Sequence, residues 1–150
     1  MDVELRRATH ADAQAVGRVV RESFDKYVDR IGKPPAPMLA DYAAVVADSR
    51  VWVLVARDRV VGALVNDIRD DHLLLDTVAV APDAQGCGFG ARLLARAEED
   101  ARELGLPQVR LYTHRLMTEN QAFYARRGYV ETGRGRKDGY DRIHYAKAIR

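Results

Sequence analysis

Hydrophobic positions change their period several times along this chain, and each change marks an element. Val3, Leu5 and Ala8 alternate as in a strand. Thr9-His10-Ala11-Asp12 has the form of a capping box, and Val16, Val19, Val20, Phe24, Tyr27 and Val28 then recur at helical spacing. One helix running past Val28 is predicted. Lys33-Pro34-Pro35-Ala36-Pro37 breaks it, and a short second helix is expected from Met38 to Ala47. Two hairpin-like joints follow. Arg50 to Arg57 pairs with Val60 to Ile68 across Asp58-Arg59, and the latter joins His72 to Val80 across Asp70-Asp71. From Leu73 to Val80 nearly every position is apolar, as in a central strand covered on both faces.

The next pattern is helical, with Leu93, Leu94, Ala97, Ala101 and Leu104 on one stripe and Gly105 at its end. Val109 to Thr113 reads as a strand. Thr118-Glu119-Asn120-Gln121 reads as a second capping box, opening a helix to Arg127. Strands at Tyr129 to Thr132 and Tyr140 to Ile149 close the chain, separated by a turn region with Gly133, Gly135, Lys137, Asp138 and Gly139. A meander of strands followed by alternating helices and strands predicts an α/β fold. Its mixed, mainly antiparallel sheet should have six or seven strands, with helices on both faces. The 150 residues contain no repeat or linker, which predicts a single domain over 1–150.

Between the central strand and the long helix lies Pro82-Asp83-Ala84-Gln85-Gly86-Cys87-Gly88-Phe89-Gly90-Ala91. Glycines admit positive φ and close approach of a ligand, and a helix start behind them offers unpaired N–H groups. Strand, glycine turn and helix together make a phosphate cradle. A Walker loop would end in Gly-Lys-Ser/Thr, whereas this one ends Gly90-Ala91-Arg92. Gly86-x-Gly88-x-x-Ala91 satisfies a dinucleotide fingerprint, but the next strand, Gln108 to His114, has no acid for a ribose. The remaining pattern, Gln85-Gly86-Cys87-Gly88-Phe89-Gly90, resembles the acetyl-coenzyme A motif of the GNAT acetyltransferases. Phe123-Tyr124-Ala125-Arg126-Arg127-Gly128-Tyr129 looks like the Tyr-x-x-x-Gly-Phe/Tyr signature of the same family. The similarity runs from about Leu74 to Tyr129. It departs where many members carry an asparagine seven residues before the tyrosine; here that residue is Met117, with Asn120 one turn later.

The resemblance implies an N-acetyltransferase that moves an acetyl group from acetyl-CoA, as co-substrate, to a primary amine in a ternary complex. No metal is implied. The fourth and fifth strands would run parallel and splay apart; the backbone N–H of Val78, on the bulged end of the fourth strand, would stabilise the oxyanion, and the amides of Ala79 and Val80 would hold the pantetheine arm. The loop Gln85, Gly86, Cys87, Gly88, Phe89, Gly90 and Ala91 would hold the pyrophosphate, with Asn120 and Tyr124 also against the cofactor. Tyr124 matches the family's general acid, although it reads equally as a core aromatic beside Phe123. Asp76 interrupts the apolar strand on the face expected for Leu74, Val78 and Val80. A carboxylate there costs several kcal/mol unless satisfied or functional, and the matching family position holds a base. His72 and His114 are weaker candidates. Cys87 could carry an acetyl group only if the thioester lay near it, and the loop belongs at the opposite end of the cofactor. Asp25, Asp29, Asp41 and Tyr42 could receive a cationic acceptor. A non-catalytic coenzyme A or nucleotide-binding sensor remains the alternative.

Composition narrows the setting. One cysteine excludes an internal disulfide and a cysteine-built zinc site. The apolar runs are too short to cross a bilayer, and the first residues do not read as a signal peptide. A cytoplasmic enzyme is expected, with a small-molecule or peptide amine as partner, no membrane, and a homodimer left open. A net charge of +2 argues against nucleic acid. Residues 126 to 150 nevertheless hold eight Lys/Arg against three Asp/Glu, either a solvated face or an attraction for an anionic cofactor.

Overall fold

The computed structural model describes residues 2–150. Seven strands form one sheet in the order β1-β2-β3-β4-β5-β7-β6. They are β1 (Val3–Arg7), β2 (Arg50–Ala56), β3 (Arg59–Ile68), β4 (Leu73–Val80), β5 (Gln108–His114), β6 (Val130–Lys137) and β7 (Tyr140–Ala148). All neighbours are antiparallel except β4 and β5. One face packs α4 (Phe89–Glu103), whose Leu93, Leu94, Ala97 and Ala101 meet Leu54, Leu64 and Leu73. The other packs α1 (Ala13–Phe24), α2 (Lys26–Ile31) and α3 (Tyr42–Asp48), with Val16, Val20 and Tyr42 against Val53, Ala63 and Ala79. Helix α5 (Thr118–Ala125) follows β5. The mixed α/β sheet covered on both faces is the expected one. Among the described residues no helix is long and apolar enough to cross a membrane.

Several boundaries differ from the sequence reading, each for a local reason. The first helix breaks at Asp25, and α2 ends at Gly32, whose φ of 92° is left-handed. Ala36–Leu39 make a 3-10 turn, so α3 starts only where the Asp41 carboxylate caps the N–H of Ala43 at 3.1 Å. The first hairpin turns at Arg57-Asp58, both at positive φ, one residue earlier than expected. Thr118 is not a cap: Met117 occupies that position, and Gln121 donates to the carbonyl of Arg115 at 2.8 Å. Strand β6 runs on through Gly133 and Gly135 to a turn at Asp138-Gly139, with a bulge between Glu131 and Gly133. Leu104 falls off the buried stripe of α4 and is 40% exposed.

Two irregularities of β4 shape the site. Its parallel pairing with β5 covers only Leu73 to Leu75. Beyond Leu75 the two strands separate. Opposite β3, Val65 pairs with Thr77 while Asn66 pairs with Leu75, so Asp76 is the extra residue of a bulge. The bulge also reverses the alternation. Leu73 and Leu75 face α4 before it, and Val78 and Val80 face α4 after it. Asp76 therefore does not share the face of Val78 and Val80; it turns with Thr77 toward Tyr42 on the α1 side.

Candidate active site

The glycine loop ends in a bare helix start. Gly86 and Gly88 sit at φ of 86° and 79°, with open space where a Cβ would project. Gly88 is the N-cap of α4, and the first bond of that helix runs from the Arg92 N–H to the Gly88 carbonyl at 3.1 Å. The N–H groups of Phe89, Gly90 and Ala91 are thus free of the helix ladder. They and the loop amides line a groove of about 430 Å³, with Lys26, Arg126 and Arg127 on its rim. Backbone donors, the positive helix end and three cations suit a pyrophosphate. Val78, Val80, Gln85, Gly86 and Gly88 line the same groove, as do Phe89, Gly90, Ala91, Asn120 and Tyr124. Cys87 and Ala79, also expected there, do not line it.

Strand parity explains Ala79. The Ala81 N–H donates to the Val61 carbonyl on β3 at 2.8 Å. In an antiparallel ladder alternate residues bond inward, so Ala79 and Thr77 also bond to β3. Val78 and Val80 present their backbone to the gap left by β5. The Val80 carbonyl there accepts the Gln85 side-chain amide at 3.1 Å. Gln85 thereby ties the loop to the strand end. Two amides, not three, point into the gap.

A second cavity, with a free volume of about 60 Å³, lies at the other mouth of the gap. Asp76, Tyr112, His114 and Arg142 line it beneath a roof of Pro35 to Pro37. Asp76 is exposed to solvent, but the protein packed around its carboxylate partly desolvates it and raises its pKa above the usual carboxylate value. Thr77, Tyr112 and Arg142 oppose the rise, while Asp67 adds to it. Burial pushes Tyr112 upward as well, followed by the charge of Asp76. His114 is lowered by desolvation, and its Nδ1 accepts the Leu116 N–H at 3.0 Å. His72 is elsewhere, at a strand end, 2.7 Å from Asp71. Asp41 is occupied as a helix cap, and the Tyr42 hydroxyl donates to the Pro37 carbonyl at 2.6 Å. Neither these two nor Asp25 and Asp29 line the cavity.

Groove and cavity share four residues: Phe24, Val78, Asn120 and Tyr124. Tyr124 is 7% exposed, and its hydroxyl makes no hydrogen bond among the described residues. Its ring is held edge-on by Phe123 at 5.2 Å and by Tyr129 at 5.8 Å. Gly128, at φ 90°, ends α5 so that the Tyr129 N–H returns to the Tyr124 carbonyl at 3.2 Å. The spacing of Tyr124, Gly128 and Tyr129 is thus a helix stop that fixes the tyrosine. Burial raises the Tyr124 phenol well above its ordinary pKa, so it stays protonated. Sequence patterning missed Arg142, Tyr112 and the Pro35–Pro37 roof, which only the fold brings to Asp76. The one signal available was a cation, Arg142, interrupting the pattern Tyr140, Ile143, Tyr145.

Comparison with known proteins agrees with this geometry. Residues 47–131, more than half of the chain, match the family described as the acetyltransferase (GNAT) domain. The chain is 27% identical over 143 residues to the peptidyl-lysine N-acetyltransferase YjaB of Escherichia coli K12, covering 92% of this chain and 89% of that protein. A GNAT-family acetyltransferase structure from Desulfovibrio desulfuricans superposes with a TM-score of 0.80 at 23% identity, over 99% and 100% of the two chains. The PaiA N-acetyltransferase of Thermoplasma acidophilum, solved in complex with coenzyme A, also reaches 0.80, at 19% identity over 96% and 98%. With a splayed β4–β5 pair, a bare helix start behind the glycines and a match across both signatures, this chain is an acyltransferase and belongs to the GNAT acetyltransferase family.

Proposed function

We propose that the protein transfers the acetyl group of acetyl-CoA directly to a primary amine, with both substrates bound at once. The observation that carries this reading is the meeting of a phosphate-suited groove and a separate acidic cavity at Val78 and Tyr124. The amides of Gly86, Gly88 and the first turn of α4 take the pyrophosphate, and Lys26, Arg126 and Arg127 add charge at its rim. Val78 and Val80 hold the pantetheine arm in the gap as if it were another strand. Acetyl-CoA supplies a thioester, and these residues fit it without further parts.

Chemistry then needs a neutral amine, an oxyanion donor and a proton for the thiolate. Asp76 accepts the amine proton, directly or through water in the cavity. The Val78 N–H stabilises charge developing on the carbonyl oxygen. Tyr124 offers its hydroxyl to the departing sulfur. Its raised pKa makes it a weaker acid than free phenol but keeps the donor proton in place, and an alkyl thiolate is basic enough to accept a strong hydrogen bond. Neither line of the cavities includes Cys87, which is exposed on the loop. A sensor that binds coenzyme A without catalysis would need neither Asp76 nor an open cavity behind Tyr124.

The test is a thiol-release screen of amines with acetyl-CoA. Release that depends on both amine and protein, with the acetylamine found by mass spectrometry, supports the reading. Tight acetyl-CoA binding without release for any amine contradicts it.

A further inference from the structure

A fixed cation repels an ammonium group, yet Arg142 lines the cavity that holds Asp76. Its guanidinium stacks over the Tyr112 ring, 4.1 Å from the centroid. Among the described residues it pairs with no carboxylate. The adjacent Asp141 is already engaged by Arg115 at 3.5 Å and Arg136 at 3.3 Å. Asp76, beside Tyr112, feels the charge of Arg142 without forming an ion pair with it. Of the residues lining the cavity, Asp76 is the sole carboxylate and Arg142 the sole Lys or Arg. The cavity therefore carries one negative and one positive group, separated and both facing the same space.

Its size is restricted as well. The roof is fastened by the Tyr140 hydroxyl, which donates to the Pro34 carbonyl at 2.6 Å, and by Lys33, which donates to the Gly139 carbonyl at 2.8 Å. Tyr42 holds the other end at Pro37. A roof tied at three points leaves little width for an extended chain, but admits a compact molecule.

We propose that the acceptor is a small amino carboxylate. Its ammonium group meets Asp76, and its carboxylate is gripped by the planar fork of Arg142, which Tyr112 holds in place by stacking. This rests on the transferase reading above and specifies its acceptor. Atoms balance as in any acetyl transfer: the ammonium gives one proton to Asp76 and the neutral amine attacks, an amide C–N bond forms as the C–S bond of the thioester breaks, and the second proton lost from nitrogen replaces the one that Tyr124 gives the thiolate.

The experiment compares matched sets of amines: amino carboxylates of increasing spacing, their carboxamides and the corresponding decarboxylated amines. Initial rates of thiol release give kcat and KM, and calorimetry in the presence of coenzyme A gives acceptor affinity without turnover. The wild type should favour the carboxylate member of at least one set by roughly 10–100-fold in kcat/KM, the range of a charge-assisted hydrogen-bond pair. Arg142→Gln should raise KM for that member by a similar factor while kcat changes less, and should erase the preference within the set. Arg142→Lys, keeping charge but not the fork, should recover part of it. Amines acetylated equally well with and without a carboxylate, or a preference that survives Arg142→Gln, would overturn the proposal while leaving the transferase reading standing. Failure of every amine despite acetyl-CoA binding would remove both.

Discussion

At the scale of single residues the site depends on where the backbone turns a few side chains. Tyr124→Phe removes one hydroxyl that bonds nothing among the described residues, so packing should persist while kcat falls by roughly 10²–10⁴. Unchanged turnover would make Tyr124 a core aromatic. Asp76 must be ionised to accept a proton. Because partial desolvation raises its pKa, activity should fall with decreasing pH at a point above the ordinary carboxylate range, and the acidic limb of kcat/KM should vanish in Asp76→Asn. A limb that survives this substitution assigns the base elsewhere. The sequence singled out both as candidates, Tyr124 from its spacing to Gly128 and Asp76 as the odd member of an apolar strand, and both line the cavity. The face of Asp76 was misread because one bulge reverses the alternation, and no local residue pattern announces that bulge. Arg142 and Tyr112 were not legible as a pair. They lie on β7 and β5, and only the antiparallel pairing of those strands, which sets Tyr112 opposite His144 and His114 opposite Arg142, brings them together.

Among the elements, the strand–glycine turn–α4 unit was the clearest in the sequence because its parts are contiguous. Gly88 at φ 79° takes no L side chain without strain. Gly88→Val should cost about 1–2 kcal/mol of stability, leave far-ultraviolet circular dichroism unchanged, and weaken acetyl-CoA binding by more than tenfold in calorimetry. Wild-type affinity would move the pyrophosphate away from this loop. The first capping box is equally local: Asp12 accepts the Thr9 N–H at 2.7 Å and the Arg6 guanidinium at 2.8 Å. Chiefly the bond from Arg6 holds its pKa down to about 2 from 3.8. The folded-state pKa is depressed, so this stabilisation is present above about pH 4 and is lost as pH falls toward 2. Asp12→Ala should destabilise by about 1–3 kcal/mol at neutral pH, read as a Tm lower by several degrees, with the difference shrinking in acid. The second half of β6, beyond the Thr132 at which the sequence reading ended it, was missed for the opposite reason. It is an edge strand exposed along nearly its whole length, with two interior glycines, so it has no apolar period to display.

For the whole molecule, the separation of β4 from β5 decides the function, because it opens one continuous space between two cavities. The order strand, loop, helix, strand made a parallel pair at this point foreseeable. The resemblance implied that the pair splays apart, and the ladder does stop at Leu75. Direct transfer at Val78 and Tyr124, as proposed, needs no covalent carrier, and the only cysteine stands outside both cavities. Cys87→Ser should therefore keep most of the wild-type kcat in the thiol-release assay; loss of activity would restore a carrier role. The most direct test of the account is the initial-rate pattern of the wild type, with acetyl-CoA varied at several fixed concentrations of an amine that releases thiol. Direct transfer in a ternary complex predicts reciprocal plots that intersect. Parallel lines, together with an acetylated protein trapped in the absence of amine, would contradict it.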